Sequence, residues 1–383
     1  MGAPFKVGWI NPLGPFRRRS LTFLLKSFQI LLSGAFCDGS DACMKKAAGR
    51  IGPAIYLLAF AGALLFTILL IREGVQDVIG AVAAAGWWLA VIPVFHLLPL
   101  FLDSFEWWLL FPDEDRPRVR TTFWARFLGE SFSNLVPAAQ VGGDIVRARL
   151  MVLSSAPVAV SAGTVLVDIT VSVFIQTIFT LFGLTLLILV TGRTNLLFPT
   201  LMGAPVGILA VAGFYFVQRI GMFRIFGAIL SNCARDDKWR ALVGKSGELD
   251  KALQRVYSRT GSVAACCIVT MISFVTGSGE VWIGLHALGV PASFEKALIL
   301  ECVGQGIQTA LCLIPGALGV REGGYVAVGG LLGIPGETAF ALALMRRVRE
   351  LALGLPGLLA WQLVEGGYFL RRYGLRTTQR VAD

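Results

Sequence analysis

Residues 134–144 read NLVPAAQVGGD and interrupt a strongly apolar sequence with a proline, two amides, a glycine pair and a carboxylate. The proline frees backbone carbonyls from the helical pattern, and the glycines permit tight turns and close approach to a ligand. A half-helix that ends at such a break presents an oriented dipole to a charged group. Close packing of helices explains the glycines equally well, but it does not explain Asp144.

The same order of breakers and charges returns 178 residues further along the chain. The matched positions are Val136-Pro137 with Ile314-Pro315, Asp144 with Glu322, Pro157 with Pro335, and Asp168 with Arg346. Paired helix breaks that carry carboxylates at membrane depth are typical of transporters built from inverted repeats, and they mark the substrate site.

The composition is that of an integral membrane protein. Hydrophobic residues make up 55% of the chain, charged residues 15%, and the mean hydropathy is +0.71. The apolar runs are uninterrupted rather than alternating, which predicts helices and not a transmembrane barrel. The net charge of +10 comes from basic residues gathered between the apolar runs, so it indicates cytoplasmic loops and lipid contacts rather than nucleic-acid binding.

These runs predict an all-α polytopic membrane protein with about six full spans and two re-entrant helix pairs, about eight transmembrane segments in all. The transmembrane core is expected at residues 44–372, with repeat halves at about 87–190 and 261–370 in opposite orientation. A polar segment at 219–259 is expected to form a cytoplasmic amphipathic loop, and residues 373–383 a cytoplasmic basic tail. Residues 1–43 form an N-terminal extension. It is interpreted either as a tail or a translation start placed too early, or as a signal-like segment.

Basic residues set the expected orientation. A cytoplasmic loop after the second span is indicated by Arg116, Arg118, Arg120 and Arg126. Arg147 and Arg149 bring the first re-entrant pair back to the same side. The arginines at 346, 347 and 349 are placed inside the last long helix, as the counterpart of Asp168, because a loop there would leave the final span with both ends inside.

The charged residues at membrane depth are costly, at roughly 2.5–3.5 kcal/mol each, so they are expected to face a partner or a wet cavity. They are Asp103, Glu106, Glu130, Asp144, Asp168, Glu280, Glu301, Glu322, Arg346, Arg347, Arg349 and Glu350. We expect Arg346, Arg347 and Arg349 to face a substrate phosphate or internal carboxylates. The alternative is that Asp168 or Glu350 simply neutralises these arginines in internal ion pairs.

The residues expected to bind substrate or lipid combine the break segments with these charges. They are Glu130, Asn134, Pro137, Gln140, Gly142, Gly143, Asp144, Arg147, Asp168, Gln305, Gln308, Pro315, Glu322, Arg346, Arg347, Arg349 and Glu350. Gating or headgroup contact is assigned to Asp144 and Glu322, and neutral hydrogen bonding to the amides. No catalytic set, metal site or cofactor is predicted, and His96 and His286 are expected to be structural or interfacial.

At these residues the chain resembles the transmembrane region of the lysylphosphatidylglycerol synthase family, also called the flippase-like domain family. The resemblance rests on GESFSNLVPAAQVGGDIVR at 129–147, PGALGVREGG at 315–324 and RRVREL at 346–351. The segment around 140–150, with VDIT at 167–170, is most similar to the bacterial subgroup associated with hopanoid biosynthesis.

The resemblance implies a multi-pass bacterial inner-membrane protein, with a cytoplasmic C-terminus, that transports or handles a polar-headed lipid. The implied partner is a membrane lipid, either a hopanoid or an anionic phospholipid. An alternative is a non-transporting accessory subunit of a lipid-biosynthesis pathway, with biosynthetic enzymes as partners. An intramembrane transferase is a third hypothesis, and the aminoacyl-transfer activity of bifunctional relatives is not implied.

Overall fold

The computed structural model describes residues 80, 85–135, 141–192, 209, 212–213, 215–216, 237–310 and 319–379. Over these residues the protein is entirely helical, with no strand. A short 3₁₀ turn lies at Asp113–Asp115. The helices are α1 Trp88–Leu109, α2 Val119–Leu135, α3 Val141–Leu153, α4 Val158–Thr191, α5 Asp237–Ser258, α6 Thr260–Ala287, α7 Phe294–Ala310, α8 Val320–Leu331 and α9 Gly336–Gln379.

Three of these helices, α1, α4 and α6, are long and apolar enough to cross a membrane. Helix α9 has 44 residues, but charged residues interrupt its apolar sequence, among them the cluster Arg346, Arg347, Arg349 and Glu350. The predicted span at 51–71 lies outside the described residues, and only scattered residues of the span at 198–218 are described. The helices make this a multi-pass membrane protein, while the number of spans stays a prediction.

The two predicted re-entrant pairs correspond to α2 with α3 and to α7 with α8, and the two helices of each pair pack against each other. Gly129 and Gly143 meet where α2 crosses α3, so closely that a Cβ on Gly143 would collide with the Gly129 carbonyl oxygen. Close approach of the backbones is therefore one reason for the glycine pair. The turns themselves, at 136–140 and 311–318, lie outside the described residues.

Packing between helices follows a matched pattern. Helix α4 packs against α7 and α9 packs against α2, so each long helix crosses the first re-entrant helix of the other half. Small residues allow both crossings, because Gly183 faces Cys302 and Gly357 faces Ser131. Helices α1 and α6 pack along each other between the halves. These paired contacts agree with the predicted internal repeat; the repeat itself and the opposed insertion of the halves stay predictions.

The described part of the chain has two large clusters of buried apolar side chains, and a smaller one around Ile92 and Met345. Trp107 and Val167 belong to the cluster around α1 and α4, and Leu285 and Leu300 to the cluster around α6 and α7. Large apolar side chains are also exposed along the long helices, such as Leu189 on α4. Such exposure suits contact with lipid tails, which offer an apolar solvent.

Helix α5 forms within the segment predicted to be amphipathic. Its Leu253 and Val256 are buried, and Ala252 lies against Gly163 of α4. The outer face, including Lys251 and Arg255, is exposed. The apolar face of this helix is thus used for packing onto α4.

Candidate functional site

Asp168 of α4 is the centre of a buried charge cluster in the first half. It is 1% exposed and accepts hydrogen bonds from two arginines, at 2.5 Å from Arg147 on α3 and 2.9 Å from Arg126 on α2. Arg147 also lies 2.8 Å from Asp144, one helical turn earlier. The carboxylate therefore ties α2 and α3, the predicted re-entrant pair, to α4.

Two further carboxylates of α1 enter this first-half cluster. Asp103 accepts a 2.5 Å hydrogen bond from the Ser273 hydroxyl of α6 and lies 3.7 Å from Arg126. Glu106, one turn further along α1, is 1% exposed, and its Oε2 has no hydrogen-bond partner in the described part of the chain.

The second half has a cluster of the opposite arrangement, with an arginine at its centre. Arg346 of α9 makes a bidentate pair with Glu301 of α7, at 2.5 and 3.0 Å. Its guanidinium also donates to the Tyr325 hydroxyl of α8, which in turn donates to Glu301 at 2.9 Å. Gln305 donates to Glu301 at 2.7 Å. Parallel hydrogen bonds of this kind give the strongest arginine–carboxylate pairs.

Arg349, one turn further along α9, joins this second-half cluster to α1. It donates to Glu280 of α6 at 2.7 Å and lies 2.8 Å from Nδ1 of His96. Nε2 of His96 lies 3.0 Å from Glu130 of α2. A neutral ring with its proton on Nε2 donates to Glu130 and accepts from Arg349, whereas a protonated ring donates to Glu130 and Glu280. His96 therefore has two alternative hydrogen-bond arrangements.

The remaining charges of α8 and α9 are also paired internally. Arg347 lies 3.0 Å from Glu322 and 3.1 Å from Glu350, and Arg321 donates to Glu350. Gln308 accepts from Arg321 at 3.0 Å. All three arginines at 346, 347 and 349 thus face internal carboxylates, which was one of the two expectations for them.

A small recess with room for about one water molecule lies beside this second-half cluster, between α1, α2 and α9. We call it the pocket. It is lined by His96, Leu100, Phe127, Glu130, Ser131, Asn134, Arg349, Glu350, Leu353 and Gly354. The side chain of Glu130 is 30% exposed, while that of Arg349 is only 6% exposed. A molecule entering the pocket would meet a carboxylate and an amide before it met a guanidinium.

The structure distributes the predicted site residues over three regions. Glu130, Asn134, Arg349 and Glu350 line the pocket. Gln305, Gln308, Glu322, Arg346 and Arg347 belong to the second-half cluster, and Asp144, Arg147 and Asp168 to the first-half cluster. Gly142 and Gly143 are buried in α3. Pro137, Gln140 and Pro315 lie outside the described residues.

Two sequence interpretations need correction. Arg126 is not part of a loop after the second span, because it lies inside α2 and its guanidinium binds buried Asp168. Asp168 does not neutralise the arginines of α9 either, since its partners are Arg126 and Arg147. Glu350 does pair with Arg347 and Arg349.

Several residues of the site were not predicted as site residues from the sequence. They are His96, Arg126, Arg321 and Tyr325, together with Glu280 and Glu301, which were identified as membrane-embedded charges but not assigned to the site. The repeat offset contained a signal for one of them, because Tyr325 stands 178 residues after Arg147. In the described part of the chain no group of His, Cys, Asp and Glu side chains is arranged to hold a metal ion.

Comparison with known proteins gives one match. A family model described as the lysylphosphatidylglycerol synthase TM region matches residues 53–357, well over half of the chain. No curated protein and no solved structure matches this chain. The matched range contains both charge clusters and the pocket.

Proposed function

The chain belongs to the lysylphosphatidylglycerol synthase transmembrane-region family, and from this membership we propose that it moves a polar-headed lipid between the two leaflets of a membrane. The family and the three long apolar helices support a lipid-related membrane protein. Transport of a hopanoid or a phospholipid is the finer part of the proposal. The pocket between α1, α2 and α9 is the observation that carries it.

The pocket offers hydrogen bonding to a headgroup at membrane depth. Glu130 and Asn134 accept hydrogen bonds, and His96 lies behind them with its two alternative arrangements. The nearby arginines already have carboxylate partners and are buried. A headgroup with hydroxyl or amine donors therefore fits this pocket better than a bare phosphate.

The acyl or ring system of the lipid has a place beside the pocket. On α9 an exposed stripe of leucines with helical spacing begins next to the pocket residue Leu353. It consists of Leu351, Leu355, Leu359 and Leu363. Because lipid tails are as apolar as leucine, the tail can stay in the bilayer along this stripe while the headgroup lies at the mouth of the pocket.

The proposal is tested with the purified full-length protein in vesicles that contain a fluorescent lipid with an amine or hydroxyl headgroup. The wild type should move this lipid between leaflets faster than empty vesicles do. Glu130→Gln removes the half-exposed carboxylate and should slow the movement several-fold. Glu114→Gln, at an exposed position outside the helices α1 to α9, is the matched control and should behave as wild type. Equal rates in protein-containing and empty vesicles would rule out transport.

An accessory role in lipid biosynthesis is the second candidate, and the exposed polar face of α5 favours it. This face, with Lys251 and Arg255, is available to a soluble partner because α5 packs onto α4 through its opposite side. Charge reversal at both residues should abolish capture of a lipid-modifying enzyme if the role is accessory. Lipid movement in vesicles should then be absent.

The same proposal treats the protein as a non-enzyme in the bacterial inner membrane with its C-terminus in the cytoplasm. The basic tail at Arg371, Arg372, Arg376 and Arg380 supports this orientation. Protease access to a C-terminal tag in right-side-out and inverted vesicles tests the orientation. Formation of a modified lipid by the purified protein would instead show an intramembrane transferase.

A further inference from the structure

The first-half cluster carries more negative than positive charge. Its two arginines, Arg126 and Arg147, both bind Asp168. The other carboxylates of the cluster are Asp103, Glu106 and Asp144. Even without the half-exposed Asp144, three carboxylates share two guanidiniums. If all were ionised, one negative charge would stay uncompensated inside the membrane.

Glu106 is the carboxyl group in this cluster that forms no ion pair with either arginine. In the described part of the chain no arginine or lysine nitrogen lies within ion-pair distance of it, and its Oε2 receives no hydrogen bond. The side chain is 1% exposed. An isolated buried carboxylate is unfavourable, whereas a carboxyl group that carries a proton is neutral.

Among the described residues, the helices packed around Glu106 bring one cation near it, and that cation already lies against two other carboxylates. The groups that face it are Asp103 of α1, Arg126 of α2, Asp168 of α4, and Cys266 and Thr270 of α6. Two of these are carboxyl groups, two are neutral, and the single cation is held by Asp168 and lies 3.7 Å from Asp103.

A proton fits the site better than a metal cation does. No metal-binding arrangement of side chains occurs among the described residues. Arg126 belongs to the same cluster and would repel a metal ion. A proton neutralises Glu106 without a coordination shell.

We propose that Glu106 binds and releases the proton that couples lipid movement to a proton gradient. The coupling part rests on the proposed function, whereas proton binding by Glu106 does not. In the state described here Glu106 carries the proton. On release the proton leaves the carboxyl oxygen for water, and a carboxylate remains.

The carboxylate formed on release competes for Arg126. Asp168 keeps Arg147 when Arg126 moves, so the exchange leaves neither carboxylate without a cation. Arg126 stands four residues before Glu130, which places the two side chains on the same face of α2. A shift of Arg126 toward Glu106 thus changes the electrostatic environment on the face of α2 that forms one wall of the pocket.

Infrared difference spectra of the full-length protein in detergent, recorded between acidic and alkaline buffer, test the proton directly. The wild type should show the C=O band of a protonated, buried carboxyl group, with a shift in heavy water. Glu106→Gln should lose this band, and Glu114→Gln should keep it. A band that survives Glu106→Gln overturns the proposal.

A second variant covers the case in which Glu106→Gln does not fold. Thr270→Val removes a buried hydroxyl beside Glu106 and keeps the side-chain shape, so it should shift the same band without abolishing it. An unshifted band would assign the proton to another group and overturn the proposal.

Coupling is measured in vesicles with and without a pH gradient. In the wild type the gradient should change the rate of lipid movement several-fold, and in Glu106→Gln the ratio of the two rates should fall to one. If the wild type moves no lipid, the proposed function fails while the infrared band still decides whether Glu106 holds a proton. If the wild type moves lipid at a rate that ignores the gradient, only the coupling is wrong.

Discussion

Arg147 donates a 2.5 Å hydrogen bond to Asp168, and the residues 178 positions after them, Tyr325 and Arg346, also contact each other. In each half the long helix therefore contributes one central charge, which side chains from both re-entrant helices hold. The sign of the central charge is reversed between the halves. The central charge therefore occupies matching positions in the two halves, as the predicted internal repeat requires, but its sign differs.

Replacement of Asp168 by Asn should destabilise the protein strongly. Two buried guanidiniums would lose their common carboxylate, and breaking a buried pair costs about 3–5 kcal/mol. The thermal unfolding midpoint in detergent measures the effect. Asp113→Asn is the control, because Asp113 binds arginines at the surface and should contribute little. Equal shifts of the two midpoints would contradict a structural role for the first-half cluster.

Arg346→Met should cost about 3–5 kcal/mol by leaving Glu301 buried without its cation. Adding Glu301→Gln should recover part of that loss, since the uncompensated charge disappears. A double-mutant cycle of unfolding free energies gives the coupling. Additive losses would show that the two side chains are not a pair in the folded protein.

Gly183→Ala should destabilise the crossing of α4 and α7. A Cβ at this position would collide with Cys302, and overpacking typically costs about 1–3 kcal/mol. Gly330→Ala is the matched control, since Gly330 lies in α8 with open space around it, and its helix propensity should improve by up to ~1 kcal/mol. Chemical denaturation of both variants should give shifts of opposite sign.

Leu353→Trp should block the pocket and slow lipid movement several-fold, because the larger ring fills the space beside Glu130 and Arg349. The exposed Leu189 on α4 lies outside the proposed lipid path and provides the control, and Leu189→Trp should transport as wild type does. Both variants should unfold at similar temperatures. Slowing of transport by both substitutions to the same extent would place the lipid path elsewhere.

Much of the fold could be predicted from local patterns. The helical membrane class follows from composition, and the packing of α2 on α3 and of α7 on α8 agrees with the breaks around Pro137 and Pro315. The family predicted from the stretch at 129–147 is confirmed by the match to residues 53–357, and the hopanoid subgroup stays a prediction. These features are readable because each depends on residues that are neighbours in sequence.

The partners of the charges could not be predicted in the same way. Arg126 stands near other arginines in sequence, which suggested a cytoplasmic loop, yet the helix buries it against Asp168. His96 has no nearby ligand-spaced partner, yet it contacts Glu130, Glu280 and Arg349 from three other helices. Charge spacing within one helix carries no information on which helix lies opposite.

The sequence by itself determined that this is a helical membrane protein, and it predicted two related sets of helices with costly charges at membrane depth. Hydropathy, helix breakers and the 178-residue offset are properties of the amino-acid sequence, so they can be identified from the sequence alone. Only the tertiary structure decided which charges cancel, which one is left over at Glu106 and where the pocket opens. Those outcomes depend on distances of a few ångströms between helices remote in sequence, and ion pairing changes steeply over such distances.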